Sequence, residues 1–273
     1  MDRFIELSAG GATGDKVPVT ERYVELAHCV DSVSAFDMHD VKAGNEHGAR
    51  MSYETAGLDV NIGQSLGTGW LEAAAEVYNI SRNIKDYVVV PVIMFPSGLP
   101  NRNAVAFKLS GLSRFDPELG CISYETWNRK PTFFNHKNDD HTKAKGVIFD
   151  TRMLPMAGTN GRVWKAVALA GYDRTRDPEL ANNILTGAYS NYSMGASVGT
   201  YECAVCGHKP NKKDTGCEHI SIDKRNMRIF DTPRGRVLAH YTCDYIRGFE
   251  LSCVHPTPAW AAAHAPPDHH LTL

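Results

Sequence analysis

The segment CAVCGHKPNKKDTGCEH, late in the chain, offers three thiols and an imidazole: Cys203, Cys206, Cys217 and His219. The Cys-x2-Cys-Gly pattern is typical of a tight turn that brings two thiolates onto one zinc ion, and the second pair completes a tetrahedral site. Four soft ligands leave no open position, so the sequence predicts structural Zn2+. The Cys-x-His spacing is shorter than usual, which keeps His208 as an alternative fourth ligand. Free thiols or a redox pair are the alternative to metal binding.

A second set of reactive side chains lies in the polar stretch NHKNDDHTKAKG at 135–146. His136 and His141 are candidate general bases, and with Asp139 and Asp140 they are also candidate metal ligands. The stretch has no His-x3-His or His-Glu-x2-His spacing, and lysines add positive charge, so a catalytic zinc site is disfavoured. A histidine base needs a nucleophile that the fold brings to it.

Two serines are candidate nucleophiles. The strand-like stretch AYSNYSMGASVGTYEC carries Ser193 and Ser197, each in a Ser-x-Gly pattern. Residues four apart in a strand face the same side, so periodicity does not separate them. Chain order does not help, because the serine, histidine and acid of such sites occur in several orders. The residues alone leave both serines and both histidines open.

The composition excludes several functional classes. The chain has 273 residues, of which 42% are hydrophobic and 22% charged, as expected for a soluble globular protein with a sizeable core. A net charge of −2 excludes nucleic-acid binding driven by overall charge. No apolar run reaches the roughly 20 residues of a membrane helix, and the first residues lack the apolar region of a secretory signal. Seven scattered cysteines do not form a disulfide framework and indicate a reducing compartment.

The elements that must position these side chains are mostly short strands. Apolar and β-branched runs predict strands at 86–95, 121–127, 146–150 and 164–173. With the serine stretch and further short strands after it, 86–256 reads as a β-barrel or an α+β domain and not as a βαβ sheet.

Two helices are predicted. WLEAAAEVYNIS, at 70–81, is rich in helix-favouring residues. In RDPELANNILTG, Asp177 is placed to cap the amino terminus, Pro178 suits the first helical position, and Gly187 is placed to end the helix. This second segment carries the clearest helix signal in the chain.

Four stretches in sequence order resemble the prohead (head-maturation) proteases of tailed bacteriophages, in the variety with a Cys/His insertion after the serine strand: KPTFFNHKNDDHTKAKGVIFD, VWKAVALAGYDRTRDPELANNILTGAYSNYSMG, CAVCG…CEH and FELSCVHPTPAWAAA. The resemblance covers 86–262, with the zinc-knuckle insertion at 201–222. It leaves 1–85 as an N-terminal extension of unknown role and 263–273 as an irregular C-terminal tail. Trp260 departs from the family pattern, which has a polar residue there.

The resemblance implies an α+β fold with a mostly antiparallel β-barrel flanked by helices, as in the herpesvirus assembly protease. It assigns His136 as the general base, Ser193 as the nucleophile and Glu250 as the acid that orients the imidazole. His141 and Ser197 are the rival base and nucleophile. The rival acids are Asp139, Asp140, Asp150 and Asp244.

The implied function is a head-maturation serine endopeptidase that cleaves scaffold and capsid proteins, and itself, by acyl-enzyme chemistry. Its partners would be the phage scaffold and major capsid proteins, with self-association or other virion proteins, and without membrane or specific nucleic acid. It would act in the prohead or virion, assembled in the host cytoplasm. The alternative is a non-enzymatic virion protein of the capsid, neck or connector built on the same fold.

Overall fold

The computed structural model describes residues 5–7, 36–37, 69–101, 103–156, 159–211, 213–222, 227–233 and 235–255. The predicted tail at 263–273 and most of the predicted extension at 1–85 lie outside these ranges. The described chain is α+β and consists mostly of strands, and its main sheet curls into a half-barrel. The predicted fold class is confirmed at this level. No helix in these ranges is long and apolar enough to cross a membrane.

The strands are β1 (Ile5–Leu7), β2 (Phe36–Asp37), β3 (Tyr87–Pro96), β4 (Val105–Phe107), β5 (Phe115–Asp116), β6 (Cys121–Ile122), β7 (Pro131–Phe134), β8 (Gly146–Pro155), β9 (Trp164–Asp173), β10 (Tyr192–Cys203), β11 (Ile229–Thr232), β12 (Gly235–Leu238) and β13 (Tyr241–Cys253). The α-helices are α1 (Trp70–Tyr78), α2 (Leu109–Leu112) and α3 (Pro178–Leu185). Short 3-10 helices occupy Ile84–Asp86, Ser123–Trp127 and His141–Lys143.

The main sheet has nine strands in the order β1-β10-β13-β7-β8-β9-β3-β2, and β4 also pairs with β13. Neighbouring strands are antiparallel, except that β13 runs parallel to β7 and to β4. Two small hairpins, β5–β6 and β11–β12, lie outside this sheet. Strand β13 is therefore the hub of the sheet, since it pairs with strands from three other parts of the chain.

Both faces of the sheet are covered, because successive residues of β3 enter two different hydrophobic clusters. Val88 and Val90 join the larger cluster, which also contains residues of α3. Val89 joins the smaller cluster, in which Ala74 and Ala75 of α1 pack. Alternation between two buried faces explains why β3 reads as a continuous apolar run.

Helix α3 confirms the predicted helix signals. Asp177 Oδ1 accepts a hydrogen bond from the Leu180 N–H at 3.0 Å, Pro178 is the first helical residue, and Gly187 follows with φ 76°. Helix α1 ends at Tyr78, earlier than predicted, because Asn79 adopts a left-handed φ of 56°.

The strand prediction at 164–173 is confirmed by β9, whereas the prediction at 121–127 is wrong beyond Ile122. There the Glu125 carboxylate accepts a hydrogen bond from the Ile122 N–H at 2.9 Å, which caps a 3-10 helix. This helix buries Trp127 against Gly248, where an added Cβ would meet the indole ring. Tertiary packing therefore decides the conformation of this segment.

Candidate active site and metal cluster

The strand pair β10 and β13 carries members of both groups of reactive residues, with Ser193 and Glu250 near one end and Cys203 at the other. In its register Ser193 lies opposite Ser252, and Gly195 lies opposite Glu250. The other end of β10 is Cys203. At about 3.3 Å per residue, a strand of this length separates Ser193 from Cys203 by roughly 30 Å.

Ser193 faces away from the larger hydrophobic cluster. Met194, Ala196 and Val198 of β10 belong to that cluster, so alternation turns Ser193 and Gly195 to the other face. Ser193 is nevertheless only 3% exposed. A buried hydroxyl on this face requires a polar partner or a functional reason.

A β-bulge in β13 sets the position of Glu250. Gly195 pairs with Glu250 whereas Ala196 pairs with Gly248, so Phe249 is the additional residue. An added Cβ at Gly195 would lie 2.6 Å from Glu250 Oε1 and 2.5 Å from the Phe249 ring. The lack of a side chain at Gly195 therefore makes room for the Glu250 carboxylate.

His136 reaches this carboxylate through a tight turn after β7. Asn135 and His136 both adopt left-handed backbone conformations, with φ 51° and 54°. The turn is fixed to β13, because the Asn135 N–H donates to the Cys253 carbonyl at 2.9 Å. It brings His136 Nδ1 to 2.8 Å from Glu250 Oε1. Left-handed residues with a Cβ are strained, and such strain is concentrated at functional sites.

The Glu250 carboxylate is fully buried and uses both oxygens. Oε1 faces His136, and Oε2 accepts a hydrogen bond from Ser252 Oγ at 2.7 Å. Over the described ranges, Glu250 forms an ion pair only with His136. A buried charge is costly unless it is paired, so the His136 imidazole is held firmly in one orientation.

Two buried polar atoms beside this pair have no hydrogen-bond partner in the part of the chain that the structure describes: His136 Nε2 and Ser193 Oγ. No hydrogen bond joins them. With Nδ1 donating to the carboxylate, the imidazole presents Nε2 as an acceptor. The structure thus brings His136 to Glu250 and places Ser193 on the neighbouring strand, two residues from the partner of Glu250.

The rival residues in the histidine loop have other contacts. His141 is exposed on a 3-10 helix. Asp140 Oδ1 accepts from the Thr142 N–H at 2.9 Å, and Asp139 lies 3.6 Å from Lys143 Nζ. None of them belongs to a cluster suited to a metal ion among the described residues. Asp139 and Asp140 act here in loop structure and surface ion pairs.

The other rivals are also held elsewhere. Asp150 lies 3.2 Å from Arg152, and burial raises the pKa of its carboxyl. Asp244 pairs with Arg114 at 2.7 Å. Ser197 Oγ donates to the Arg247 carbonyl at 3.4 Å, on the same strand face as Ser193 but farther along the strand from Glu250. Their contacts do not connect them to His136.

An aromatic stack joins the three segments that carry these residues. Tyr189 stacks on Phe134 with ring centroids 5.6 Å apart, and it contacts His255 at 4.8 Å. Phe134 precedes His136 in sequence, Tyr189 precedes Ser193, and His255 follows Glu250. Sequence reasoning missed this stack, the space at Gly195 and the role of Ser252. The Glu-x-Ser spacing, which puts two polar groups on one strand face, was the available signal for Ser252.

The second group of reactive residues forms a compact cluster that can hold a metal ion. The ligand atoms of Cys203, Cys206, Cys217 and His219 all lie within 4.8 Å of one another. His208 is not part of it: its Nε2 lies 3.2 Å from Asp214 Oδ2, within ion-pair range. His219, the residue predicted first, is the fourth member of the cluster.

The local backbone tunes the thiols of this cluster. Burial raises the pKa of Cys203 to about 11, against hydrogen bonds from the backbone of Cys206 and Val205 that lower it. Burial also raises the pKa of Cys217. Backbone hydrogen bonds at Ile220 and His219, with side-chain hydrogen bonds from His219 and Cys206, outweigh the burial and bring this pKa to about 7. Backbone N–H groups that point at sulfur favour thiolates, the form that binds metal.

Comparisons with known proteins add no assignment to this geometry. No protein-family model matches the chain, and no curated protein or solved structure matches it. The resemblance to prohead proteases therefore stays a prediction from the motifs quoted above.

Proposed function

We propose that the chain is a serine endopeptidase of the prohead-protease type, with a fold related to the herpesvirus assembly protease. The observation that carries the proposal is the contact of 2.8 Å between His136 Nδ1 and the buried carboxylate of Glu250. A base oriented in this way, next to a strand that bears a buried serine, is the arrangement that serine nucleophiles require.

The proposed reaction uses the side chains of Ser193, His136 and Glu250. Ser193 Oγ attacks the carbonyl carbon of the scissile peptide bond while its proton moves to His136 Nε2. The C–N bond then breaks, and the leaving amine takes the proton from Nε2. Water hydrolyses the resulting ester with the same imidazole as base, and Glu250 stabilises the imidazolium in each half-reaction.

The catalytic pair must move to react. Because Ser193 Oγ and His136 Nε2 are buried and share no hydrogen bond, we propose that the residues around them shift when a substrate peptide binds. Catalytic hydrogen bonds are often long before substrate binds and shorten in the complex. We assign this arrangement, with both atoms buried, to the enzyme before substrate binding.

The sequence resemblance supplies the proposed substrates and place of action. They are the scaffold and major capsid proteins of a tailed phage, cleaved in the prohead during assembly in the host cytoplasm. The chain would also cleave itself.

The proposed metal is structural zinc. In a tetrahedral zinc site, with Zn–S bonds near 2.3 Å and Zn–N bonds near 2.0–2.1 Å, a thiolate sulfur and an imidazole nitrogen lie about 3.6 Å apart. The separation of 3.7 Å between Cys217 Sγ and His219 Nδ1 agrees with this value. Three thiols and one imidazole fit zinc better than calcium or magnesium, which prefer oxygen.

A fluorophosphonate probe tests the proposal directly. We expect the probe to label the purified full chain at Ser193, because this reagent captures activated serines. Ser193→Ala should abolish labelling and stop cleavage of co-expressed head proteins. Ser197→Ala, a matched change on the same strand face, should leave both unchanged.

Labelling at Ser197, or at neither serine even in immature particles, would overturn the assignment of Ser193. Absence of labelling with full-length chain in mature particles would favour the non-enzymatic virion protein instead.

A further inference from the structure

The hydroxyl of Ser252 occupies the second oxygen of the buried acid. Ser252 is fully buried, and its Oγ donates to Glu250 Oε2 at 2.7 Å. Residues two apart in a strand share a face, so Ser252 and Glu250 lie side by side on β13. The contact is built into the strand.

The carboxylate has few other restraints. On one side the main chain of Gly195 approaches Oε1 so closely that a Cβ would not fit. His136 is the partner of Oε1, and no Lys or Arg forms an ion pair with Glu250 over the described residues. The Ser252 hydroxyl is therefore the group that fixes rotation of the carboxylate about its last bond. Without it, the contact with His136 is the remaining side-chain hydrogen bond that holds the carboxylate in this rotation.

The register also places Ser252 directly across from Ser193. A hydroxyl has one proton to donate, and Ser252 gives that proton to Glu250. It therefore does not donate to Ser193 Oγ, which leaves the Ser193 oxygen free of a competing donor. An extra donor there would stabilise the oxygen and weaken the nucleophile.

We infer that Ser252 is a positioning residue that locks the Glu250 carboxylate toward His136 Nδ1 and so fixes the imidazole tautomer for proton transfer at Nε2. This inference rests on the proposed function. It adds a fourth side chain to the predicted group, one that touches neither the substrate nor the reacting atoms.

The test compares acylation of Ser193 by a fluorophosphonate in the full chain and in Ser252→Ala. By analogy with the outer hydrogen bonds of metal-bound histidines, whose loss costs about 10- to 100-fold in activity, we expect a decrease of that size in the maximal acylation rate. The probe concentration that gives half-maximal rate should stay constant, because Ser252 is fully buried. Ser197→Ala is the matched control and should react like the unchanged chain.

Two further measurements separate positioning from a general loss of structure. Ser252→Cys keeps a side chain of similar shape but has a weak S–H donor, so it should also slow acylation while its far-UV circular dichroism spectrum stays that of the folded chain. In proton NMR, the downfield resonance of the His136 Nδ1 proton should be present in the unchanged chain, weaken in both variants and vanish in His136→Gln.

The acylation rates of the unchanged chain and of Ser252→Ala test the proposed function and the positioning role separately. If the unchanged chain is acylated at Ser193 and Ser252→Ala reacts equally fast, Ser252 has no positioning role and the endopeptidase proposal stands. If the unchanged chain is not acylated, the proposed function fails, and the role of Ser252 in proton transfer fails with it. An Nδ1 proton resonance unaltered in Ser252→Ala would overturn the positioning role whatever the activity.

Discussion

The two ends of the β10–β13 strand pair are built in different ways. The metal end takes its four ligands from one short segment, between Cys203 and His219, and needs only a turn and a return of the chain. The other end takes His136, Ser193 and Glu250 from three strands or loops, and 114 residues separate the histidine from its acid. A local site depends on spacing, whereas a distributed site depends on the register of the whole sheet.

The polar atoms differ in the same way. At the metal end all four donor atoms lie within 4.8 Å of one another. At the other end one carboxylate is fully engaged, while His136 Nε2 and Ser193 Oγ remain buried without partners among the described residues. Four donor atoms grouped in this way are all engaged once a metal ion binds. Two unengaged buried atoms are instead available to a reacting group, and this contrast can be tested end by end.

The largest expected effect is on the catalytic end alone. Glu250→Gln keeps the size of the side chain but removes its charge and lets the amide favour the wrong tautomer of His136. By comparison with the acid of serine-protease triads, acylation at Ser193 should fall about 10⁴-fold. Rates of fluorophosphonate labelling measure this, with Glu118→Gln on the exposed hairpin as the matched carboxylate control.

Metal content should be unchanged in Glu250→Gln, because the two ends are separate. A decrease of less than tenfold in acylation would remove Glu250 from the proposed mechanism, and a loss of metal would contradict the independence of the two ends.

The second expected effect is on the metal end. Replacing Cys203 and Cys206 together with serine removes two thiols of the cluster, and the chain should no longer bind the proposed zinc. Since loss of a structural metal is among the few causes of severe destabilisation, we expect a decrease of about 4 kcal/mol or more in the free energy of unfolding. Elemental analysis and chemical denaturation measure the two quantities.

Cys121→Ser is the control for the metal end, because this partly exposed cysteine lies outside the cluster. Zinc retained in the double variant would mean that a second site exists, and zinc lost from Cys121→Ser would place the ligands elsewhere.

The smallest of the three effects is expected at the β-bulge, where Gly195 lies beside Glu250. Gly195→Ala forces a Cβ against the Glu250 carboxylate and the Phe249 ring. Overpacking of this kind costs about 1–3 kcal/mol, and thermal unfolding should show it together with slower acylation. Gly199→Ala, at an exposed position of the same strand, should have little effect on either. Equal behaviour of the two variants would mean that Gly195 has no special place beside Glu250.

The sequence predicted what local chemistry determines. The cap at Asp177 and the stop at Gly187 lie within one helix, so residue types alone located α3. Strand β9 was predicted because its residues form one apolar run. The Cys/His cluster was predicted for the same reason, since its ligands are close in sequence.

Features that depend on pairing were not predictable from residue types. The bulge at Phe249 appears only when β13 is aligned with β10, and a period-two pattern does not contain it. The left-handed turn at Asn135 and His136 has no glycine to signal it. The segment Ser123–Trp127 has strand-like residues but forms a 3-10 helix, because Trp127 is buried against β13. In each case a distant strand selects the local conformation.

The central position of β13 in the sheet affects the order in which the site is assembled during synthesis. This strand is made after the strands it joins, and its ends pair in parallel with β4 at Tyr241–Cys243 and with β7 at Leu251–Cys253. Such contacts between distant parts of a chain form slowly, because closing long loops is entropically costly. His136 therefore cannot contact Glu250 until Glu250 has left the ribosome and β13 has paired with its neighbouring strands. For a proposed protease, this order of synthesis delays activity until the rest of the sheet has folded.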